Sequence, residues 1–356
     1  MNNEREEFLL GWMESQQIDG FFIAGKENVR YISGYTSADA YLLVTKEKQY
    51  IITDPRYTEQ AAAECPDYEV IVWRKPGKTV GDAVGALAER HALKTIAFEP
   101  ERMNYTWHQD FLRAVKAELV PAPGVIEGRR AVKNAREIAC LRAACDISCR
   151  AFERLLSDIR VGVTEKELAA RLSLYMVLEG ADTQPYGNIL ISGPRTSLLH
   201  GIPSDRALRY GDPVLMDFGC QYDGYLSDMT RTVFVGRADE RQREVYALER
   251  RMVEESAALM KAGASSKAVY EASTAAIQGT EYFDYHYSGI GHGIGMFVHE
   301  VPFLGPNSSA VLEAGNVVTI EPGIYIPGWG GVRIEDQLLI TPDGNENLIH
   351  TTHDLI

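Results

Sequence analysis

The stretch Val214-Leu215-Met216-Asp217-Phe218-Gly219-Cys220-Gln221-Tyr222-Asp223-Gly224-Tyr225-Leu226-Ser227-Asp228-Met229-Thr230-Arg231-Thr232 sets two β-prone runs on either side of an Asp223-Gly224 turn signal, the pattern of a hairpin. With the turn centred on Asp223 and Gly224, Asp217 faces Thr230 and lies diagonal to Asp228. With the turn centred one residue earlier, Asp217 faces Asp228 directly. Side chains alternate along a strand, so either register puts both carboxylates on one face of the sheet.

The same geometry returns in Val317-Val318-Thr319-Ile320-Glu321-Pro322-Gly323 and Gly331-Val332-Arg333-Ile334-Glu335-Asp336, whose midpoint is Gly328. Glu321 and Glu335 are expected to oppose each other across this second hairpin. Like charges so placed destabilise a sheet unless they are protonated or neutralised, so two such pairs ask for cations. A histidine is available in Gly291-His292-Gly293-Ile294-Gly295, where the glycines let backbone approach closely. Four carboxylates and one imidazole favour Mn²⁺, Co²⁺, Fe²⁺ or Zn²⁺. Carboxylates that bridge make room for two ions, and a pair roughly 3.5 to 4 Å apart activates water and polarises a carbonyl at neutral pH.

Outward from these hairpins, the 356 residues suffice for two ordinary cores. A formal charge of −14 argues against nucleic acid and anionic membranes as partners, which call for clustered Lys and Arg. The polar start Met1-Asn2-Asn3-Glu4-Arg5-Glu6-Glu7 and the lack of a long apolar run point to a cytoplasmic protein. The five cysteines suit a reducing compartment. Cys140, Cys145 and Cys149 fall on or beside a helical apolar stripe and are read as core rather than as a metal cluster.

The first part alternates strands near 21–24, 41–45, 50–53, 68–73 and 95–98 with helices near 55–64, 79–91 and 104–117, an α/β pattern. The run Val120-Pro121-Ala122-Pro123-Gly124 breaks the periodicity, which places a boundary between an accessory domain, 1–124, and a second domain, 125–356. The second domain opens with a long helix from about Asn134 and another beginning at the Thr164-Glu165-Lys166-Glu167 capping box. Hairpins then dominate, with helices near 239–262 and 266–280 between them.

Several blocks in order carry a resemblance: His200-Gly201-Ile202-Pro203, the Asp217 to Asp228 spacing with Met229-Thr230-Arg231-Thr232, Gly291 to Gly295, His299-Glu300-Val301-Pro302, Glu321-Pro322-Gly323 and Val332-Arg333-Ile334-Glu335-Asp336. Over essentially its whole length the chain resembles the creatinase and prolidase family, the pita-bread metallopeptidases, and Asn28 to Gly34 resembles that family's accessory domain. The resemblance implies a creatinase-like α/β domain followed by a pita-bread catalytic domain, α/β (α+β) in class. It implies that Asp217 chelates one metal ion, that His292 and Glu321 bind the other, and that Asp228 and Glu335 bridge them, with manganese favoured. It further implies that Glu321 accepts the proton of a bridging water, while His200 and His299 support the substrate amide and the developing oxyanion.

The activity so implied is hydrolysis of Xaa-Pro bonds in small proline-containing peptides, as a dipeptidase or an aminopeptidase, by a homodimer. An X-Pro bond lacks the N–H that ordinary peptidases grip, so a dedicated pocket is required. Arg333 stands two residues before Glu335 and so points to the metal face, where its fork suits a product carboxylate. Asp39 and Tyr41 are candidates to reach across to a partner subunit, and Trp329 is a candidate pocket border. A methionine aminopeptidase shares the ligands, but the accessory domain argues against it. A creatinase-type C–N hydrolase or a non-catalytic scaffold is disfavoured because all five ligand positions are intact. The Asp217-Phe218-Gly219 triplet and Gly291, Gly293 and Gly295 imitate kinase and phosphate-loop motifs without the accompanying residues.

Overall fold

The structure, a computed structural model, describes residues 3–184 and 187–355. Its two compact units divide between Arg129 and Arg130.

In the N-terminal unit, six strands form one sheet in the order β4 (Glu69–Val72), β3 (Gln49–Thr53), β2 (Ala40–Thr45), β1 (Gly20–Ile23), β5 (Thr95–Phe98) and β6 (Glu118–Pro121). Strands β3–β4, β1–β5 and β5–β6 are parallel, and β1–β2 and β2–β3 are antiparallel. Phe22, Leu43, Ile52 and Ile96 bury one face against the helices Val80–Arg90 and Tyr105–Ala114. The sequence predicts five of these strands. The sixth, β6, takes up Val120-Pro121, because proline is tolerated at a sheet edge where no partner needs its N–H. The helix Val125–Ala131 follows at once, so the division falls beyond Gly124. Asp39 lies 3.2 Å from the Arg56 guanidinium, and Tyr41 packs edge-on to Trp107 at 5.1 Å.

In the C-terminal unit the helix Ala135–Leu155 starts at an Asn134–Glu137 capping box, and the helix Glu165–Leu178 starts at the predicted Thr164–Glu167 box. Cys140, Cys145 and Cys149 are buried along the first of these helices, as the periodicity requires. A three-stranded antiparallel sheet has the order β11 (Met229–Phe234), β8 (Pro213–Phe218), β7 (Ile189–Ser192). The short ribbon β9 (Gln221–Tyr222) and β10 (Tyr225–Leu226) carries the hairpin to its tip. There Asp223 and Gly224 have φ of 46° and 83°, both left-handed, which matches the twist of the flanking strands. A five-stranded sheet has the order β13 (Glu300–Leu304), β12 (Gly291–Gly293), β14 (Val317–Ile320), β17 (Asp336–Ile340), β18 (Asn345–Asn347). The ribbon β15 (Gly323–Ile326) and β16 (Gly330–Arg333) closes around Gly328.

Alternation along these strands separates core from site. Val318, Ile320, Ile324, Val332 and Ile334 join Val245, Met252 and Val253 of the helix Glu240–Ala257 in one apolar cluster. Thr319, Glu321, Arg333 and Glu335, at the intervening positions, are therefore turned the other way. Trp329 packs against this cluster, with the Arg241 guanidinium 4.9 Å from its ring centroid, and is not among the residues lining the site cavity. The turn that carries it, residues 327–329, thus places Trp329 against the helix Glu240–Ala257.

Candidate active site

Asp217 pairs with Thr230 across β8 and β11, which selects the register centred on Asp223 and Gly224 and leaves Asp228 diagonal to Asp217 on the same face. In the second hairpin Gly323 pairs with Arg333, and Ile320 pairs with Asp336. Glu321 and Glu335 thus stand at corresponding positions in the break between two ladders in one register. The break frees their backbones for other partners. Glu335 N–H donates to the Thr230 carbonyl at 3.0 Å, and Glu321 N–H donates to the Ile290 carbonyl at 2.8 Å. These two bonds tie the carboxylate strands to the first hairpin and to the histidine strand. On β12 the glycines flanking His292 are required by close approach: a Cβ on Gly291 would meet the Thr319 carbonyl oxygen at 2.1 Å, and one on Gly293 would meet that of Val301 at 2.3 Å.

Asp228, His292 and Glu335 each bring one ligand atom within 4.8 Å of the others, and all three residues are buried. His292 Nδ1 lies 3.0 Å from its acceptor, the Gly293 carbonyl, which fixes the tautomer and presents Nε2 to the site. Nε2 lies 3.2 Å from Glu321 Oε1 and 3.8 Å from Asp228 Oδ2. Glu335 Oε2 accepts from the Thr230 hydroxyl at 2.8 Å, whereas its Oε1 is buried without a hydrogen-bond partner. A buried carboxylate oxygen left unpaired beside further carboxylates is costly, and a divalent cation is the partner that this donor set fits.

The titration behaviour expresses the same crowding. Burial, then the charges of Asp228, Glu321 and Asp217, push Glu335 well above the usual carboxylate range. Burial also raises Asp217, with Arg333 opposing it. Burial resists ionisation of Glu321, but its hydrogen bond to His292 prevails and holds it below the ordinary value. Burial disfavours protonation of the His292 ring, yet Glu321 and Asp228 outweigh it and push that group up to about 9. Burial and the neighbouring His292 lower His299.

A cavity of about 1000 Å³ opens over these groups. Asp217, Asp228, His292, Glu321, His200, His299 and Arg333 line it, whereas the buried Glu335 is not among the lining residues. His299 stands edge-on to His292 with ring centroids 4.5 Å apart. The remaining wall is largely apolar, with Ile189, Leu199, Ile202, Val298 and Phe303. Arg333 is 3 % exposed, and its guanidinium is already engaged: Nε donates to Thr230 Oγ1 at 3.0 Å, Nη1 to the Tyr325 hydroxyl at 2.6 Å and Nη2 to Asp217 at 2.5 Å. One arm of the fork that the sequence reading set aside for a product carboxylate is taken by Asp217.

Thr230, Tyr325 and Arg231 escaped the sequence reading. The first two were accessible to it, because Thr230 opposes Asp217 and Tyr325 is diagonal to Arg333 in the hairpin register. Arg231 was not, since it points to the other face, where it donates to the Glu335 carbonyl at 2.6 Å and to Asp336 at 2.8 Å.

The sequence matches Metallopeptidase family M24 over residues 139–342 and the Creatinase/Prolidase N-terminal domain over residues 5–132. The chain belongs to metallopeptidase family M24. It is 33 % identical to the Xaa-Pro dipeptidase of Pyrococcus horikoshii, with 99 % of each chain covered. Among solved structures it is similar to the Xaa-Pro dipeptidase from Bacillus anthracis, with a TM-score of 0.94 and 34 % identity over 100 % of this chain and 99 % of that one. The X-Pro aminopeptidase from Thermotoga maritima gives a TM-score of 0.92 and 32 % identity over 99 % of each. The two units are therefore the creatinase domain and the M24 pita-bread domain, and membership of the M24 family implies divalent metal ions at the carboxylate and histidine cluster. No helix among the described residues is long and apolar enough to cross a membrane.

Proposed function

We propose that this M24 metallopeptidase hydrolyses the peptide bond preceding proline in small peptides, with two divalent metal ions, manganese favoured, held by Asp217, Asp228, His292, Glu321 and Glu335. The observation that carries this reading is the buried Asp228, His292 and Glu335 cluster with its unpaired Glu335 oxygen, flanked by Glu321 and Asp217 on one cavity wall. When bound, such ions lower the pKa of water and polarise a carbonyl.

The chain's own groups do the rest. Glu321 accepts the proton of the attacking water and returns it to the proline nitrogen, which leaves as an amine. His200 and His299, both exposed to the cavity, donate hydrogen bonds to the substrate amide and to the oxygen on which negative charge grows. The apolar wall accommodates a pyrrolidine ring and excludes water from the cleavage. Arg333 acts through Asp217 rather than on a product carboxylate, because each of its three nitrogens already donates within the protein. The protein is further proposed to act in the cytoplasm as a homodimer.

The deciding experiment offers Ala-Pro, Ala-Pro-Ala and Met-Ala-Ala to the apo-protein loaded in turn with Mn²⁺, Co²⁺ and Zn²⁺. Cleavage of the proline peptides supports the reading, and their relative rates separate dipeptidase from aminopeptidase. Preference for Met-Ala-Ala, or silence with every metal, overturns it.

A further inference from the structure

Five consecutive residues of the cavity wall, Leu199 to Pro203, belong to one loop between β7 and β8. Leu199 packs beside Ile191, Leu215 and Tyr325, whereas His200 is exposed and Ile202 is 81 % exposed. Two points on either side of this stretch, Ser192 at the end of β7 and Ser204 within the loop, meet on one side chain, the fully buried Glu165. One carboxylate oxygen accepts from the Ser192 N–H and hydroxyl, both at 2.8 Å. The other accepts from the Ser204 N–H at 2.9 Å and hydroxyl at 2.7 Å. Arg195, inside the loop, brings Nε to 3.3 Å from the same oxygen and donates through Nη2 to the Ile202 carbonyl at 2.6 Å.

The bland explanation is that Glu165 helps to start its helix. That task is already done by its neighbours: Thr164 and Glu167 form the capping box, leaving the Glu165 carboxylate with no part in it. Burying a carboxylate is costly unless its lone pairs are filled, and here every donor that fills them comes from the loop or its two ends. The arrangement is a staple between residues 192 and 204, with His200 on the span it closes.

We propose that Glu165 is a positioning residue for His200, fixing the loop that places this imidazole on the cavity wall. The activity arm of its test rests on the proposed Xaa-Pro hydrolysis, whereas the exchange arm does not.

The test is a double-mutant cycle in the full, metal-loaded chain with Glu165→Gln, His200→Ala and both together, read as kcat on Ala-Pro-Ala and as amide hydrogen exchange. Glu165→Gln is expected to lower kcat by about ten- to a hundredfold when His200 is present, since small misplacements of a substrate contact have effects of that size. In the His200→Ala background its effect should shrink to less than about threefold, because the two changes act on one interaction. The bonded amides of Ser192, Leu198 and Ser204 should exchange faster, while those of β8 and β14 and the bound metal content stay as in the parent. Equal losses in both backgrounds, or unchanged exchange of the loop, overturn the proposal. Should Glu165→Gln fail to fold, Ser204→Ala removes a single donor, and it must give smaller changes in the same direction in both readouts. If the parent enzyme cleaves no Xaa-Pro peptide, the functional reading fails, and loop exchange still decides the staple.

Discussion

Arg333 donates to Asp217 at 2.5 Å from a position that is 3 % exposed, so a metal-site carboxylate and a buried guanidinium hold each other in place. Tyr325 and Thr230 fix the other sides of the fork. Arg333→Met should therefore lower kcat/KM for Ala-Pro and Ala-Pro-Ala alike, by about ten- to a hundredfold, as loss of a group that orients a ligand does. A loss confined to the free dipeptide, seen as a raised KM with kcat intact, would return Arg333 to carboxylate recognition.

Asp228 and Glu335 form, with His292, the buried group of candidate ligands. Asp228→Ala is expected to bring metal content, measured by elemental analysis after dialysis, and peptidase activity to background together. Chelation of the parent should do the same, with activity restored on adding back Mn²⁺. An active, metal-depleted Asp228→Ala protein would contradict the assignment.

Burial opposes protonation of His292, but Glu321 at 3.2 Å prevails and the group is pushed up to about 9 in the metal-free chain. Being raised above its ordinary 6.5, this proton stabilises the metal-free fold fully below about 6.5, and the contribution is lost as pH rises through about 9. A metal ion must displace it, so affinity for Mn²⁺ should climb steadily between about pH 6 and 9, with proton release on binding. Calorimetry in buffers of different ionisation enthalpy checks both. A pH-independent affinity would contradict this.

Glu249 is fully buried; one oxygen accepts from the Ile334 N–H at 3.3 Å, and the other has no partner. Burial pushes it up to about 8. The folded chain thus keeps a proton that the unfolded chain releases above about 4.5, and stability falls as pH rises from there until about 8. Glu249→Gln retains an acceptor for Ile334 and needs no proton. It should raise Tm by a few degrees near pH 8 and change it little near pH 5. An equal gain at both would point to packing instead.

Glu300, beside His299, is buried with Arg130, which donates to its Oε1, and with Lys133 Nζ 3.6 Å from its Oε2. Arg130→Ala removes the closer partner from a buried charge and should destabilise the chain by about 3–5 kcal/mol in urea unfolding. A loss below about 1 kcal/mol would mean that Lys133 and the Phe297 N–H, 2.9 Å from Oε1, satisfy Glu300 without Arg130.

The shared face of the four candidate carboxylates was legible because hairpins translate sequence spacing into facing positions. Gly328 and the Asp223-Gly224 turn set the two registers, and alternation then fixed which face Asp217, Asp228, Glu321 and Glu335 share. The helix from Asn134 was equally legible from its apolar period, and the helix from Thr164 from its capping box. All of this is local chemistry, in which partners lie within one turn or one hairpin.

Tertiary structure decided what links one hairpin to another. The two ladders could be counted from sequence, but not the break at Glu321 and Glu335, because it exists to let Glu335 bond Thr230 and Glu321 bond Ile290 on other strands. The commitment of Arg333 to Asp217 joins residues 116 positions apart, and Glu165 reaches Ser192 and Ser204 across 27 and 39. Sequence by itself determined which candidate residues share a face and a register. Only the packed fold decided which donors those residues meet, because a buried polar group must find its partner wherever the chain brings one, and spacing along the chain does not record that meeting.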